Sequence, residues 1–225
     1  MNMNGGRLAV REHATVIVMA GGQSTRMGQD KSMLLIDGKP MIEHVCDQVR
    51  DKFEEILISA NDPQKYAFLK AKVVQDKATG QGPLMGIESA LSASANELNF
   101  VIACDMPEIE LSLVRRMLKE AAGYDAVVLR AGGQIEPLFA VYRKNLAATA
   151  ASLLESGERR LRALFDHCRT KYVDIDDADR MRNLNRMEEY KDYIARTDLE
   201  PKGHANERGE TTRSTKHTKG RRNAP

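Results

Sequence analysis

The chain has 225 residues, 42% of them hydrophobic, and a formal net charge of +2. That length allows one domain or a small pair, the apolar fraction supplies a sizeable core, and the near-balanced charge argues against a general nucleic-acid binder. No apolar run approaches the roughly 20 residues that span a bilayer, and MNMNGGRLAVREH at the start lacks the apolar stretch of a secretory signal.

In chain order, the first element is Thr15–Ala20, a continuous β-branched run suited to a strand buried on both faces. It runs into GGQSTRMGQDKS, where Gly21 and Gly22 precede Arg26, Gly28 and Lys31. Glycines at a strand exit followed by cations suit a phosphate-binding loop. The spacing is nevertheless neither G-x-x-x-x-G-K-S/T nor G-x-G-x-x-G, since five residues separate Gly22 from Gly28 and Lys31 lies three beyond. The loop therefore belongs to another nucleotide-handling design, or is an ordinary tight turn.

PMIEHVCDQVRD then places Ile42, Val45, Cys46 and Val49 on one helical face, with Pro40 at its start. EEILISAND predicts a strand ending in Asn61 and Asp62, and KVVQD a shorter one ending in Asp76. GPLMGIESALSAS reads as a loop turning into a helix, and NFVIACDMP as a strand that stops at Asp105 before Pro107. LSLVRRMLKEAA predicts another amphipathic helix. DAVVLR and EPLFAVY follow as strands, then helical stretches around Leu146–Leu154 and Leu161–Phe165, then a strand at KYVDID.

Strands alternating with helices at this spacing predict an α/β fold, a single domain over residues 14–197 with a mostly parallel central sheet flanked by helices. Residues 1–13 read as a short extension. From Glu200 to Pro225 the only apolar side chains besides proline are Ala205 and Ala224, so this basic polar tail is expected to be disordered, either merely solvated or in weak contact with anions. Cys46, Cys104 and Cys168 are far apart and odd in number, which suggests reduced thiols in a cytoplasmic protein.

In an open α/β sheet, ligands bind outside the carboxyl ends of the strands. The Gly21–Gly22 turn, Asn61, Asp76 and Asp105 all fall at such ends. Glycines let backbone N–H groups approach phosphate oxygens, with the following helix pointing its positive end at them. Arg26 neutralises phosphate as a fork and Lys31 as a point charge. Asp105 suits Mg²⁺, which is held by one or two carboxylates plus substrate phosphates. Each feature also has an ordinary explanation, as a tight turn or a helix cap; their convergence is what argues for a site. His44 reads as the polar edge of its helix, His167 beside Cys168 lacks a second ligand pair, and Met33 and Met85 read as core filler.

MAGGQSTRMGQDKSMLLIDGKPMIEHV, QGPLMGIESAL, ACDMP, EPLFAVY, SGERRLRALF and NLNRMEEY, in that order, resemble the molybdenum cofactor guanylyltransferases of the nucleotidyltransferase superfamily, over roughly Val16 to Tyr193. The resemblance implies a Rossmann-like, nucleotide-diphospho-sugar transferase-like fold. It also implies a reaction: the terminal phosphate of molybdopterin, carrying molybdenum, attacks the α-phosphorus of GTP, pyrophosphate leaves, and a guanine dinucleotide cofactor forms. Carried over by position, Met19, Ala20, Gly21 and Gly22 belong to the GTP site with Asn61 and Asp76, Lys31 and Arg26 meet the phosphates, and Asp105 holds Mg²⁺. Arg159, Arg160, Asn183 and Asn185 resemble family positions on the molybdopterin side. Molybdenum-insertion and acceptor proteins are the implied protein partners, with neither nucleic acid nor membrane. One departure stands out: Arg186-Met187 replaces the usual Thr-Pro, so the proline that would start the last helix is missing.

The chemistry asks for no catalytic triad. A phosphate monoester has a second pKa near about 6, so the nucleophile is largely ionised at neutral pH without a general base. Positioning and charge neutralisation then suffice. The nearest rival is a cytidylyltransferase acting on the same pterin, or a sugar-phosphate enzyme. The cytidine branch usually carries Ala-Gly at Gly21-Gly22 and lacks CDMP, which favours GTP here. A non-catalytic carrier of the cofactor would have no reason to keep Lys31 and Asp105 together.

Overall fold

The β-branched run near the start becomes the central strand of a sheet in the computed structural model, which describes residues 10–21, 30–176 and 183–199. This strand, β1 (Glu12–Met19), begins earlier than the apolar run, because Glu12 donates its N–H to the Lys52 carbonyl at 2.7 Å and pairs its carboxylate with Arg115 at 2.9 Å. A two-stranded hairpin follows, β2 (Leu35–Ile36) and β3 (Lys39–Pro40), turned by Asp37 and Gly38 at φ of 51° and 77°. Positive φ at both turn residues is the hairpin geometry that Asp-Gly favours.

Then come α1 (Met41–Val49), β4 (Phe53–Ser59), β5 (Lys72–Val74), α2 (Pro83–Ala93), β6 (Leu98–Ala103) and α3 (Leu111–Glu120). The rest is β7 (Ala126–Ala131), β8 (Gln134–Arg143), α4 (Leu146–Glu155), a 3-10 segment at Leu161–His167, β9 (Thr170–Ile175) and α5 (Met187–Leu199). Seven strands form one sheet in the order β5-β4-β1-β6-β8-β7-β9. All pairings are parallel except the two that β8 makes with β6 and β7. The expected single α/β domain with a mostly parallel sheet is what the described residues form.

Strand alternation splits the core into two layers. Val16 and Val18 point with Ile58, Phe100 and Ile102 towards α1 and α3. Ile17 and Met19 point with Leu57 and Val101 towards α2 and α4. On α1 the predicted stripe Ile42, Val45, Cys46 and Val49 is 0% exposed throughout, each aliphatic side chain contributing about 1.5–3 kcal/mol by burial. Burial also pushes the Cys46 thiol up to about 12, so it acts as a small apolar core residue. Cys104 and Cys168 are likewise free thiols. Of the methionines read as core filler, Met85 is buried, but Met33 is 37% exposed because the 3-10 turn that carries it faces Ser32 inward and Met33 outward.

The last helix starts without its proline by another device. Glu189, the third residue of α5, accepts the N–H groups of Asn185 at 2.7 Å and Arg186 at 2.9 Å. That is the acidic half of a capping box, which satisfies N–H groups a helix start would leave open. The same helix lays Tyr190, Tyr193 and Ile194 against Ile36, Met41 and Leu184, and the Tyr190 hydroxyl donates to the Leu35 carbonyl at 2.6 Å. Glu189→Ala is expected to lower stability by on the order of 1 kcal/mol. Chemical denaturation checks this; an unchanged midpoint would mean that the helix start is held by α5 packing alone.

Among the described residues, no helix is long and apolar enough to cross a membrane. Of the regions distinguished by sequence, residues 1–9 and the tail 200–225 lie outside the described residues, as do Gly22, Arg26 and Gly28.

Candidate active site

The sheet order reverses direction at β1, with β4 and β5 to one side and β6 to the other. A crevice opens at such a switch point, outside the carboxyl ends of the strands. One cleft of about 770 Å³ is lined by Met19 at the end of β1, Ala20 and Gly21 after it, Asn61 after β4, Asp76 after β5, the start of α2, and Asp30 and Tyr66. That volume lies within the range of small-molecule sites. Asn61 joins two of these strand ends: its side-chain amide donates to Asp76 Oδ2, and its Oδ1 accepts the Asp76 N–H, both at 2.9 Å. The result is a fixed polar edge with a carboxylate free to accept from a ligand N–H.

Glycines shape the wall. Gly82 caps α2 at φ 75° ahead of Pro83, a conformation that side chains rarely adopt. At Gly86, which sequence reading did not single out, a Cβ would stand 2.8 Å from Met19 Cε and 2.9 Å from Ser59 Oγ. The missed signal was the second glycine of GPLMG, which reads as an ordinary helix residue until the helix is seen to lie over the strand ends. Gly21 differs: its φ is not positive, and among the described residues a Cβ there would meet only the Ser59 carbonyl at 3.9 Å.

Beside this cleft, Lys31 Nζ donates to Asp105 Oδ2 at 3.1 Å and to Asn185 Oδ1 at 2.9 Å. The Lys31 and Asp105 side chains are only 15% and 17% exposed. Three separate segments set this up. Lys31 begins a 3-10 turn capped by Asp30, whose Oδ1 accepts the Ser32 N–H at 3.0 Å. Asp105 lies just past β6. Asn185 is brought in because the Leu184 N–H donates to the Asp105 carbonyl at 2.8 Å. Next to Asp105, the Cys104 thiol is pushed up to about 12, chiefly by burial and next by the neighbouring carboxylate, which disqualifies it as a nucleophile.

A second cleft of about 690 Å³ adjoins the first, and Pro83 lines both. Asp105, Asn183, Asn185 and Arg160 line it, over an apolar floor that includes Leu138 and Phe165. Glu136 lines it too; burial raises its carboxyl above the usual range, opposed by Arg162 and by a hydrogen bond from Asn183. The Asn183 Oδ1 is buried without a hydrogen-bond partner among the described residues. Arg160 reaches into solvent, 82% exposed, and pairs with Glu158 at 2.7 Å. Arg159 turns away: its guanidinium donates to the Leu154 and Glu158 carbonyls at 2.8 Å and closes the end of α4. The structure thus gathers Lys31, Asp105, Asn183, Asn185 and Arg160 around the second cleft and its margin, and Met19, Ala20, Gly21, Asn61 and Asp76 around the first. It leaves Arg159 outside both. Among the described residues there is no group of three or more His, Cys, Asp or Glu side chains able to hold a metal ion by themselves.

A model of the MobA-like NTP transferase domain matches residues 16–173. A molybdenum cofactor guanylyltransferase of Shewanella putrefaciens is 32% identical, covering 80% of this chain and 96% of that protein. One from Vibrio parahaemolyticus is 34% identical, covering 77% of this chain and 91% of its own. The solved structure of molybdopterin-guanine dinucleotide biosynthesis protein A from Archaeoglobus fulgidus superposes with a TM-score of 0.71 at 23% identity, over 82% of this chain and 98% of that one, and shares the fold. The chain belongs to the MobA-like NTP transferase family.

Proposed function

From that membership, and from a lysine–carboxylate pair standing where two clefts meet, we propose that this nucleotidyltransferase moves GMP from GTP to the terminal phosphate of molybdopterin, releasing pyrophosphate. The observation that carries the proposal is the Lys31–Asp105 contact at 3.1 Å. A transferase needs two substrates whose reacting phosphates meet at a charged seam; a carrier needs one cleft and no such seam. The relatives' names, molybdenum cofactor guanylyltransferases, support a guanylyl donor and the molybdenum cofactor as its acceptor.

In this reading the first cleft takes the nucleoside. Met19, Ala20 and Gly21 offer backbone groups, and Asp76, steadied by Asn61, accepts from the guanine N–H edge or the ribose. Lys31 meets the phosphates. The second cleft takes the pterin, with Asn183, Asn185 and Arg160 at its rim. Arg159 serves that site by holding the end of α4, which fixes the neighbouring Arg160. Gly22 and Arg26, outside the described residues, are assigned to the phosphates by the sequence alone.

The donor set near Lys31 fits Mg²⁺: one carboxylate, Asp105, with only Lys31 donating to it among the described residues. Mg²⁺ takes few protein ligands and completes its octahedron with phosphate oxygens and water. When bound, it neutralises phosphate charge and polarises the α-phosphorus. Lys31, itself held by Asn185 Oδ1, orients the Asp105 carboxylate, and no residue need act as general base. The free thiols fit a reducing cytoplasm, where molybdenum-insertion and acceptor proteins would supply and receive the pterin.

The test is pyrophosphate release from GTP and molybdopterin with Mg²⁺, beside thermal shifts with GTP, CTP, ATP and UTP. GTP should stabilise most; a larger shift with CTP would make this a cytidylyltransferase. Gly21→Ala probes the choice of base. Because the φ there is not positive and a Cβ meets no clash among the described residues, the variant should fold normally. It should lose affinity for GTP by more than for CTP, since the bulkier purine lies closer to the uncovered backbone. Equal losses for both nucleotides would show that Gly21 does not read the base.

A further inference from the structure

The turn that carries Lys31 is tied to the end of β1 by a chain of hydrogen bonds that runs from its cap, Asp30, through Ser32 and Tyr66. Asp30 Oδ1 accepts the Ser32 hydroxyl at 2.6 Å as well as the Ser32 N–H. The Ser32 hydroxyl stands 3.0 Å from the Tyr66 hydroxyl, which reaches the Ala20 carbonyl at 3.4 Å. Each hydroxyl has one proton to give. Ser32 gives its proton to Asp30 at the shorter distance, so Tyr66 donates to Ser32 and shares weakly with Ala20. Asp30 Oδ2 is held by Lys65, whose ammonium lies 4.9 Å from the centre of the Tyr66 ring.

Ser32 and Tyr66 are 1% and 2% exposed, so water does not compete for these bonds. The ring of Tyr66 packs in the core layer with Ala20 and Ala60. Lys31 lies between Asp30 and Ser32, and both of its neighbours are therefore fixed. A lysine stem has four rotatable bonds and loses much freedom on being ordered, so the placement of its ammonium depends on where the backbone begins.

We propose that Tyr66 is a positioning residue whose hydroxyl, through Ser32 and Asp30, sets the Lys31 turn in register with the Ala20 end of β1. This rests on the reading of Lys31 as the phosphate cation. Tyr66 lines the inner edge of the first cleft but is 2% exposed, with its hydroxyl turned to Ser32 and Ala20. It acts through Lys31, by tying the segment that bears the charge to the strand end that lines the first cleft.

Tyr66→Phe removes one oxygen and keeps the ring. Binding is measured with whichever of GTP, CTP, ATP and UTP the unaltered chain holds most tightly, and with the matching nucleoside. Triphosphate affinity should fall about fivefold, the worth of one hydrogen bond, and nucleoside affinity should not change. In a Lys31→Ala background the same substitution should change triphosphate affinity by less than about twofold, because the group it acts through is gone. Ser32→Ala cuts the chain at another link and should behave alike, which covers the case of a poorly folded Tyr66→Phe. Equal losses in both backgrounds, or an equal loss for the nucleoside, would overturn the proposal and make Tyr66 a plain core residue. A preference for a triphosphate other than GTP would overturn the guanine assignment alone; no binding of any triphosphate would overturn both.

Discussion

Asp105→Asn is expected to reduce nucleotidyl transfer by about 10²–10³-fold or more, the loss that follows removal of one preorganised electrostatic group, while the protein stays folded. The fold should survive because the side chain is not what anchors this segment. The backbone carbonyl of Asp105 takes the Leu184 N–H at 2.8 Å, and an asparagine oxygen can still accept from Lys31. What disappears is the negative charge. An amide leaves Lys31 as an uncompensated cation in the ligand-free protein and, in the proposed loaded state, would compensate a divalent cation poorly. Triphosphate affinity should accordingly lose most of its dependence on Mg²⁺. Near-normal turnover at ordinary Mg²⁺ would remove Asp105 from the phosphate end altogether.

The strand ends were legible in the sequence because apolar runs stop abruptly at polar residues, and the sheet brings those stops to one edge. Asn61, Asp76 and Asp105 follow directly from that rule, and the pairing of Asn61 with Asp76 at 2.9 Å is its consequence. Less was legible where side chains decide direction. Arg159 and Arg160 look equivalent in SGERR, yet one caps α4 and the other faces solvent at the second cleft, a choice set by the end of that helix. Nothing local in NLN shows that Asn185 meets Lys31, 154 positions away; α5 must first dock on the β2-β3 hairpin. The missing proline before α5 looked like a lost anchor, but Glu189 supplies the stop by accepting the N–H groups of Asn185 and Arg186. Its signature, an acid at the third helical position, was present and has a physical meaning of its own. Tyr66 and Ser32 were silent for a different reason. A tyrosine and a serine 34 residues apart carry no pattern until the chain folds them together.

Lys31→Ala should weaken triphosphate binding about tenfold and slow transfer by about 10²-fold, since its charge is worth most where phosphate charge shifts during the reaction. The side chain is only 15% exposed, so the ammonium is poorly screened and its loss is not made good by bulk water. Two effects have to be separated. In the ligand-free protein the substitution leaves the Asp105 carboxylate, 17% exposed, without its partner, which lowers stability. In the proposed loaded state a cation held by Asp105 would restore that balance, so the remaining loss would belong to the phosphates. Lys31→Met keeps most of the stem and removes only the charge; it should match alanine in affinity and rate. Lys31→Arg keeps the charge but presents a wide planar fork in place of a point donor, and should recover part of the affinity with little of the rate. If alanine, methionine and arginine all left triphosphate affinity and rate within about twofold, the ion pair with Asp105 would be purely structural. The seam between the two clefts would then carry no phosphate, and the chemistry would have to lie elsewhere along the strand ends.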